Sequence, residues 1–158
     1  MGKVYTLRRQ QSIPVSMEKA WDFISSPANL KKITPQYMGF DITSPELPGK
    51  MYAGMIITYI VTPVAGIRVN WVTEITHIEE GKYFIDEQRS GPYAFWHHQH
   101  FIEPDGDGVI MTDILTYRPP FGILGRISNL LFIRSRLNEI FDYRNRVLSE
   151  WADPSHQI

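Results

Sequence analysis

FIDEQRSGPYAFWHHQHFIEPDGDGVIMTDILTY, running from Phe84 to Tyr117, is the stretch whose reading decides the fold. It holds three runs suited to strands, parted by Gly91-Pro92 and by Asp105-Gly106-Asp107-Gly108. Strand-like runs joined by such short turn signals read as an antiparallel meander. Successive side chains on a strand point to opposite faces. Trp96, His98 and His100 therefore share one side of the middle run, with His97 and Gln99 on the other. Met111, Asp113, Leu115 and Tyr117 share one side of the next run. If those two sides coincide, two imidazoles and a carboxylate occupy an interior with aromatic walls. On the preceding run Asp86 and Gln88 face one way, Glu87 and Arg89 the other.

Working outward, Lys3 to Ile13 alternates as a strand and ends at Pro14. Ser16 reads as a helix N-cap, followed by Met17, Ala20, Trp21 and Ile24 at helical spacing. Ser25-Ser26-Pro27 breaks that helix, and Ala28 to Ile33 supplies a further turn or two before Pro35. Met38 to Ile42 reads as a short strand and Met55 to Val61 as a longer apolar one. Pro63 and Gly66 punctuate the chain before Ile67 to Ile78 resumes as strand. Glu79-Glu80-Gly81-Lys82 is a hairpin turn leading to Tyr83–Ser90, Tyr93–Glu103 and Val109–Tyr117. After Pro119-Pro120 the period becomes helical from Phe121 to Trp151. Leu130, Ile133, Leu137, Ile140, Phe141, Leu148 and Trp151 form one broad stripe. Strands grouped together, with two short helices after the first and a long helix at the end, predict an α+β layer architecture. The long helix covers the concave face of a curved antiparallel sheet.

The 158 residues suit a single domain spanning 1–158. With 43% apolar and 21% charged residues the composition is globular. A net charge of -1 gives no clustered basic footprint for nucleic acid. The absence of cysteine removes disulfides, thiolate nucleophiles and sulfur-ligated zinc. MGKVYTLRRQQ lacks the apolar core of a signal peptide, and no apolar run is long enough to span a bilayer. A cytoplasmic protein without stable membrane insertion is the expectation. The sequence leaves the oligomeric state open.

No nucleophile elbow, phosphate loop or dinucleotide motif occurs, and PDGDG at 104–108 is too short for a calcium loop. The chemistry rests on His98, His100 and Asp113. An imidazole oriented by a carboxylate can act as general base near neutrality. Those same three groups have the composition of a metal triad, but no recognised ligand spacing supports one, so neither metal nor cofactor is expected. The bland reading is a satisfied interior hydrogen-bond network at the floor of a ligand cavity. Gln88 suits an uncharged ligand oxygen. Arg134 and Arg144 share the inward sector of the long helix, where each either snorkels outward or needs an acidic partner. Arg134 is the candidate to face Asp113. Pro119 to Phe132, PPFGILGRISNLLF, either packs on the strand ends or meets a bilayer surface.

Two stretches resemble a known superfamily. IPVSMEKAWDFISSPANLKKITP near the N-terminus is similar to the opening of polyketide cyclase/dehydrase and lipid-transport proteins, the START-like or SRPBCC superfamily. DEQRSGPYAFWHHQHFIEPDGDGVIMTDILTYRPPFGILG resembles a bacterial ligand-binding subgroup of it. There the pattern D-x-Q, G-P, W-x-H-x-H, M-T-D, Y and P-x-G falls on Asp86, Gln88, Gly91, Pro92, Trp96, His98, His100, Met111, Thr112, Asp113, Tyr117, Pro120 and Gly122. Asp107 departs from the pattern, standing where the subgroup tends to have a glycine of the turn. The resemblance implies a helix-grip fold of the Bet v 1 kind. In it a seven-stranded antiparallel sheet wraps a long C-terminal helix around a deep cavity. It also implies a hydrophobic small molecule, lipid-like or aromatic, as ligand. Gln88, Trp96, His98, His100, Met111, Asp113, Tyr117, Arg134, Leu137 and Phe141 are the expected ligand-binding residues. No reaction follows from the resemblance, and a cyclase or dehydratase using His98, His100 and Asp113 remains the alternative.

Overall fold

The computed structural model describes residues 2–62 and 67–153. Strand β1 (Tyr5–Ile13) leads into helix α1 (Met17–Ile24) and two 3-10 turns, Pro27–Lys31 and Gln36–Met38. Strands β2 (Asp41–Ile42), β3 (Met55–Val61), β4 (Val69–Glu79), β5 (Tyr83–Ser90), β6 (Phe95–Asp105) and β7 (Gly108–Arg118) follow. Helix α2 (Gly122–Ser128), a π-helical turn (Asn129–Ile133) and helix α3 (Arg134–Ala152) complete the described chain. One antiparallel sheet takes the order β1-β7-β6-β5-β4-β3-β2.

Short connections dictate most of this order, because strands joined by tight turns must pair as neighbours. The tight turn at Asp105–Gly108 sets the β6–β7 register and so pairs His100 with Asp113. Ser16 caps α1 as expected, its Oγ accepting from the Lys19 N–H at 3.2 Å. The expected strand Met38–Ile42 shrinks to Asp41–Ile42. Met38 instead closes a 3-10 turn, and Gly39 at φ 54° redirects the chain. The punctuation expected at Pro63 and Gly66 lies outside the described residues.

The helix expected over Phe121–Trp151 is broken rather than continuous. Phe121 at φ 63° and Gly122 at φ 52° turn the chain sharply out of Pro119-Pro120. Gly125 then passes so near the Pro120 carbonyl that a Cβ would sit 1.9 Å from its oxygen. The π turn follows, and α3 buries Leu137, Phe141, Arg144, Leu148 and Ala152 at the three- and four-residue steps of one helical face. Arg9 Nη2 donates to Asn138 Oδ1 at 2.6 Å and Gln11 Nε2 to the Asn145 carbonyl at 2.7 Å, tying β1 to α3.

Two apolar clusters form the interior. One gathers α1 with Ile57, Ile75, Phe84, Ile102, Val109, Met111 and Leu148. The other gathers Leu115, Tyr117, Leu137 and Phe141, with Trp96 and Ile133 against it. Each such side chain contributes about 1.5–3 kcal/mol on full burial. The clusters flank a strip of ionisable residues.

Candidate ligand-binding site

Four elements each send polar side chains into that strip. β5 supplies Asp86, β6 supplies His98 and His100, β7 supplies Asp113, and α3 supplies Arg144. Pairing across the ladders places Asp86 beside His98, and His100 beside both Phe84 and Asp113. His98, His100, Asp113 and Arg144 are buried. His100 Nε2 lies 2.7 Å from Asp86 Oδ2, and its Nδ1 lies 2.7 Å from Asp113 Oδ1. The Nε2–Asp86 contact is a hydrogen bond, whereas Nδ1 meets Asp113 in an ion-pair contact and also lies 3.4 Å from Arg144 Nη2. His98 makes looser approaches, 3.2 Å from Nε2 to Asp113 and 3.6 Å from Nδ1 to Asp86. Arg144 Nη1 reaches Asp113 Oδ1 at 3.1 Å. Trp96 Nε1 donates to Asp86 Oδ1 at 3.3 Å.

The pKa directions follow from these contacts. Burial opposes charge on His100, but hydrogen bonds to Asp113 and Asp86 outweigh it and raise its pKa. Burial, together with the His100 charge, lowers His98 and keeps it neutral. Burial alone would raise Asp113; the Arg144 charge and the two imidazoles hold it well below the usual carboxylate range. Asp86 is lowered for the same reason, with His100 its main counter to burial. The two carboxylates thus face the Arg144 guanidinium and an imidazole, His100, whose charged form they favour, while burial favours the neutral form of His98.

A cavity of about 190 Å³ opens between the sheet and α3, and Asp86, His98, His100 and Arg144 are part of its lining. Its aromatic wall is continuous. Tyr59 and Trp71 rings lie 5.8 Å apart, Trp71 and Trp96 5.0 Å, Trp96 and Tyr93 4.8 Å. Burial raises the pKa of the Tyr59 and Tyr93 phenols, so both remain protonated. The Tyr59 hydroxyl pairs with Thr73 Oγ1 at 2.8 Å. The indole N–H of Trp71 is buried with no protein partner.

Trp96, His98, His100, Leu137 and Phe141 line this cavity, whereas Asp113 stands outside the lining and meets His98 and His100. The other expected positions lie elsewhere. Gln88 Nε2 donates to the Tyr93 carbonyl at 2.7 Å and its Oε1 accepts from the Tyr93 N–H at 3.1 Å. Its amide therefore clasps the β5–β6 turn, where a Cβ on Gly91 would come 2.5 Å from Gln88 Oε1. Met111 is packed in the apolar cluster around α1. Tyr117 donates to Asn129 Oδ1 at 2.8 Å and borders a second cleft. Arg134 is exposed and borders the same cleft, so the partner of Asp113 is Arg144 and not Arg134. Asp86, His98 and His100 offer ligand atoms within 4.8 Å of one another. A cation there would have to displace the proton on His100 Nε2 from Asp86.

No family model matches this chain, and no curated protein matches it by sequence. Solved structures do match in shape. A START superfamily protein from Mycobacterium smegmatis superposes with a TM-score of 0.69 at 13% identity, covering 93% of this chain and 96% of that one. A major latex-like protein from Panax ginseng gives 0.69 at 15% identity, covering 97% and 100%. A norcoclaurine synthase from Thalictrum, a point mutant holding a transition-state analogue, gives 0.67 at 13% identity, covering 97% and 99%.

The chain has the START-like helix-grip fold.

Within the helix-grip frame, two members of the polar strip were not among the expected ligand-binding residues. Asp86 opens the D-x-Q pattern and faces inward beside His98, but its side of the strand alone does not separate it from a solvated edge residue. Arg144 lies in the same helical sector as Arg134, and only the packing of α3 on the sheet decides between them. Among the described residues, no helix is long and apolar enough to cross a membrane.

Proposed function

We propose that the protein binds a small, largely apolar and uncharged molecule in the cavity between the sheet and α3. The observation that carries this reading is an aromatic-walled cavity whose lining includes a buried indole donor, Trp71 Nε1, that no protein atom satisfies, with Arg144 Nε and His98 Nε2 likewise without a hydrogen-bond partner. Buried polar groups are normally paired, and a free one in a cavity wall suits a ligand acceptor. The volume of about 190 Å³ is modestly larger than the ~150 Å³ cavity known to take benzene. A one- or two-ring aromatic, or a short acyl chain, fits better than a bulky lipid.

The test is binding of two probes matched in size, naphthalene and 2-naphthol, followed by intrinsic fluorescence and calorimetry. Ile140→Trp, which fills the helix side of the cavity, should abolish binding of both. Trp71→Phe should weaken 2-naphthol by about five- to ten-fold, the worth of one hydrogen bond, and leave naphthalene nearly unchanged. Binding of neither probe, with no small molecule retained through native mass spectrometry, would remove the reading.

A second reading, a cyclase or dehydratase acting through a His–Asp pair, draws on the looser contacts of His98. Both nitrogens of His100 are held by carboxylates, so a general base would have to be His98 with Asp113 beside it. His98→Gln that abolished turnover of a bound substrate without loss of its affinity would favour this reading. Unchanged turnover would end it.

A further inference from the structure

Among the described residues, the four most exposed large apolar side chains lie in one short segment. Phe121 is 82% exposed and Leu130 80%, and Ile123, Leu124, Leu131 and Phe132 are exposed beside them. Of α2 and the π turn, Gly125 and Asn129 are buried and Ile133 packs against the interior. Phe121 moreover holds a left-handed backbone, at a cost of about 1–2 kcal/mol, while its ring packs on nothing that would offset it. A monomer rarely exposes a contiguous patch of this kind without a use for it.

Charge says what covers the patch. From Ile114 to Asn138 the chain carries four arginines, Arg118, Arg126, Arg134 and Arg136, and no acidic residue. A cleft of about 610 Å³ beside the patch is bordered by Lys3, Arg126 and Arg134, with Tyr5, Ile127 and Leu130, and by no carboxylate. A second copy packing by two-fold symmetry would set these arginines against their own equivalents, which is repulsive. An apolar face rimmed by cations instead matches the boundary between the headgroups and acyl chains of an anionic bilayer.

We infer that residues 119–136 form a docking surface for a bilayer of anionic lipids. Phe121, Leu124, Leu130 and Leu131 enter the acyl boundary, and Lys3, Arg126 and Arg134 hold the headgroups. The contact is peripheral, since α2 and the π turn together are too short to span a membrane. It requires nothing of the ligand cavity, so failure of either reading leaves the other standing.

Flotation with vesicles of phosphatidylcholine alone, and of phosphatidylcholine with phosphatidylserine, tests this on the full chain. The protein should float with the second kind only, and less so as salt is raised. Leu130→Asp should abolish flotation. Arg126→Gln with Arg134→Gln should weaken it on the order of thirty-fold, at ~1 kcal/mol per arginine. Thermal melting checks that each variant folds. Because the chain has no cysteine, a solvatochromic label on Leu124→Cys gives an independent readout. It should shift to the blue with anionic vesicles, while a label on Glu80→Cys should not. Wild-type protein that ignores both vesicles, or a Leu130→Asp chain that floats unchanged, overturns the proposal. So does a wild-type dimer that Leu130→Asp separates, for then the patch belongs to a second copy.

Discussion

At the scale of residues, the polar strip is a set of buried charges that stand only together. Removing one partner leaves the others uncompensated at low dielectric. Arg144→Met should therefore cost about 3–5 kcal/mol in urea unfolding, far more than the loss of an exposed arginine. A cost under 1 kcal/mol would mean that Asp113 does not depend on it. The two histidines make stability depend on pH in opposite senses. His98 has a lowered folded pKa, so its contribution is complete above the unfolded value near 6.5 and is lost as pH falls through the folded one. His100 has a raised folded pKa, so its contribution is complete below about 6.5 and is lost as pH rises through the folded one. Asp86 and Asp113 are lowered, so their contributions fade only in stronger acid, below the unfolded value near 3.9. Stability should peak near pH 6.5, and His98→Gln should flatten the acid side while keeping the alkaline fall. Urea midpoints measured across pH check this, and an acid limb identical in the two chains would contradict it. Strand alternation was enough to bring His98, His100 and Asp113 together on paper. It was not enough to choose Arg144, because Arg134 shares its helical face and differs from it by about 15 Å along the axis. Where a helix stops along a sheet is set by packing that no local pattern records.

At the scale of elements, the hairpins were the legible part. Turn signals such as Asp105–Gly108 fix strand order and register locally, and the seven strands follow from them. The weak places were those where local and distant demands conflict. Met38 has strand-like neighbours, yet a left-handed Gly39 ends a turn there. The long helical stripe gave no sign of the π turn at Asn129–Ile133, since a bulge of one extra residue barely alters the period. Packing explains the break: Gly125 is pressed on Pro120 while α3 is registered by Arg9 and Gln11, and the two placements need a shift between them. The strained helix start yields a prediction. Phe121→Gly relieves a left-handed phenylalanine and loses some of the gain to a more flexible unfolded chain. A net stabilisation of about 0.5–1 kcal/mol is expected in urea unfolding. The same change should weaken flotation with anionic vesicles. A destabilised variant would show that the ring packs at home after all.

At the scale of the whole molecule, the sheet grips α3 with a cavity left between two apolar clusters. That arrangement was legible because strands in a meander followed by an amphipathic helix have few ways to bury both apolar faces. The cavity lining was legible only in part, because W-x-H-x-H marks Trp96, His98 and His100 while the other lining side chains come from several elements and share no motif. The charge state of the cavity nevertheless limits what can enter. Asp86 and Asp113 already engage His100 and Arg144, so an anionic ligand would compete with two carboxylates for those groups. Arg136 also lines the cavity, but its guanidinium already pairs with Glu139 at 2.7 Å. Burying an uncompensated carboxylate costs several kcal/mol, more than the contacts of two rings return. At neutral pH, 2-naphthol should therefore raise the melting temperature while 2-naphthoate at equal concentration should not, since a ligand stabilises only as far as it prefers the folded state. At pH 4 and below naphthoate becomes neutral, and its effect should approach that of naphthol. Equal shifts by both compounds at neutral pH would show that an anion finds a cation in the cavity despite the two competing carboxylates.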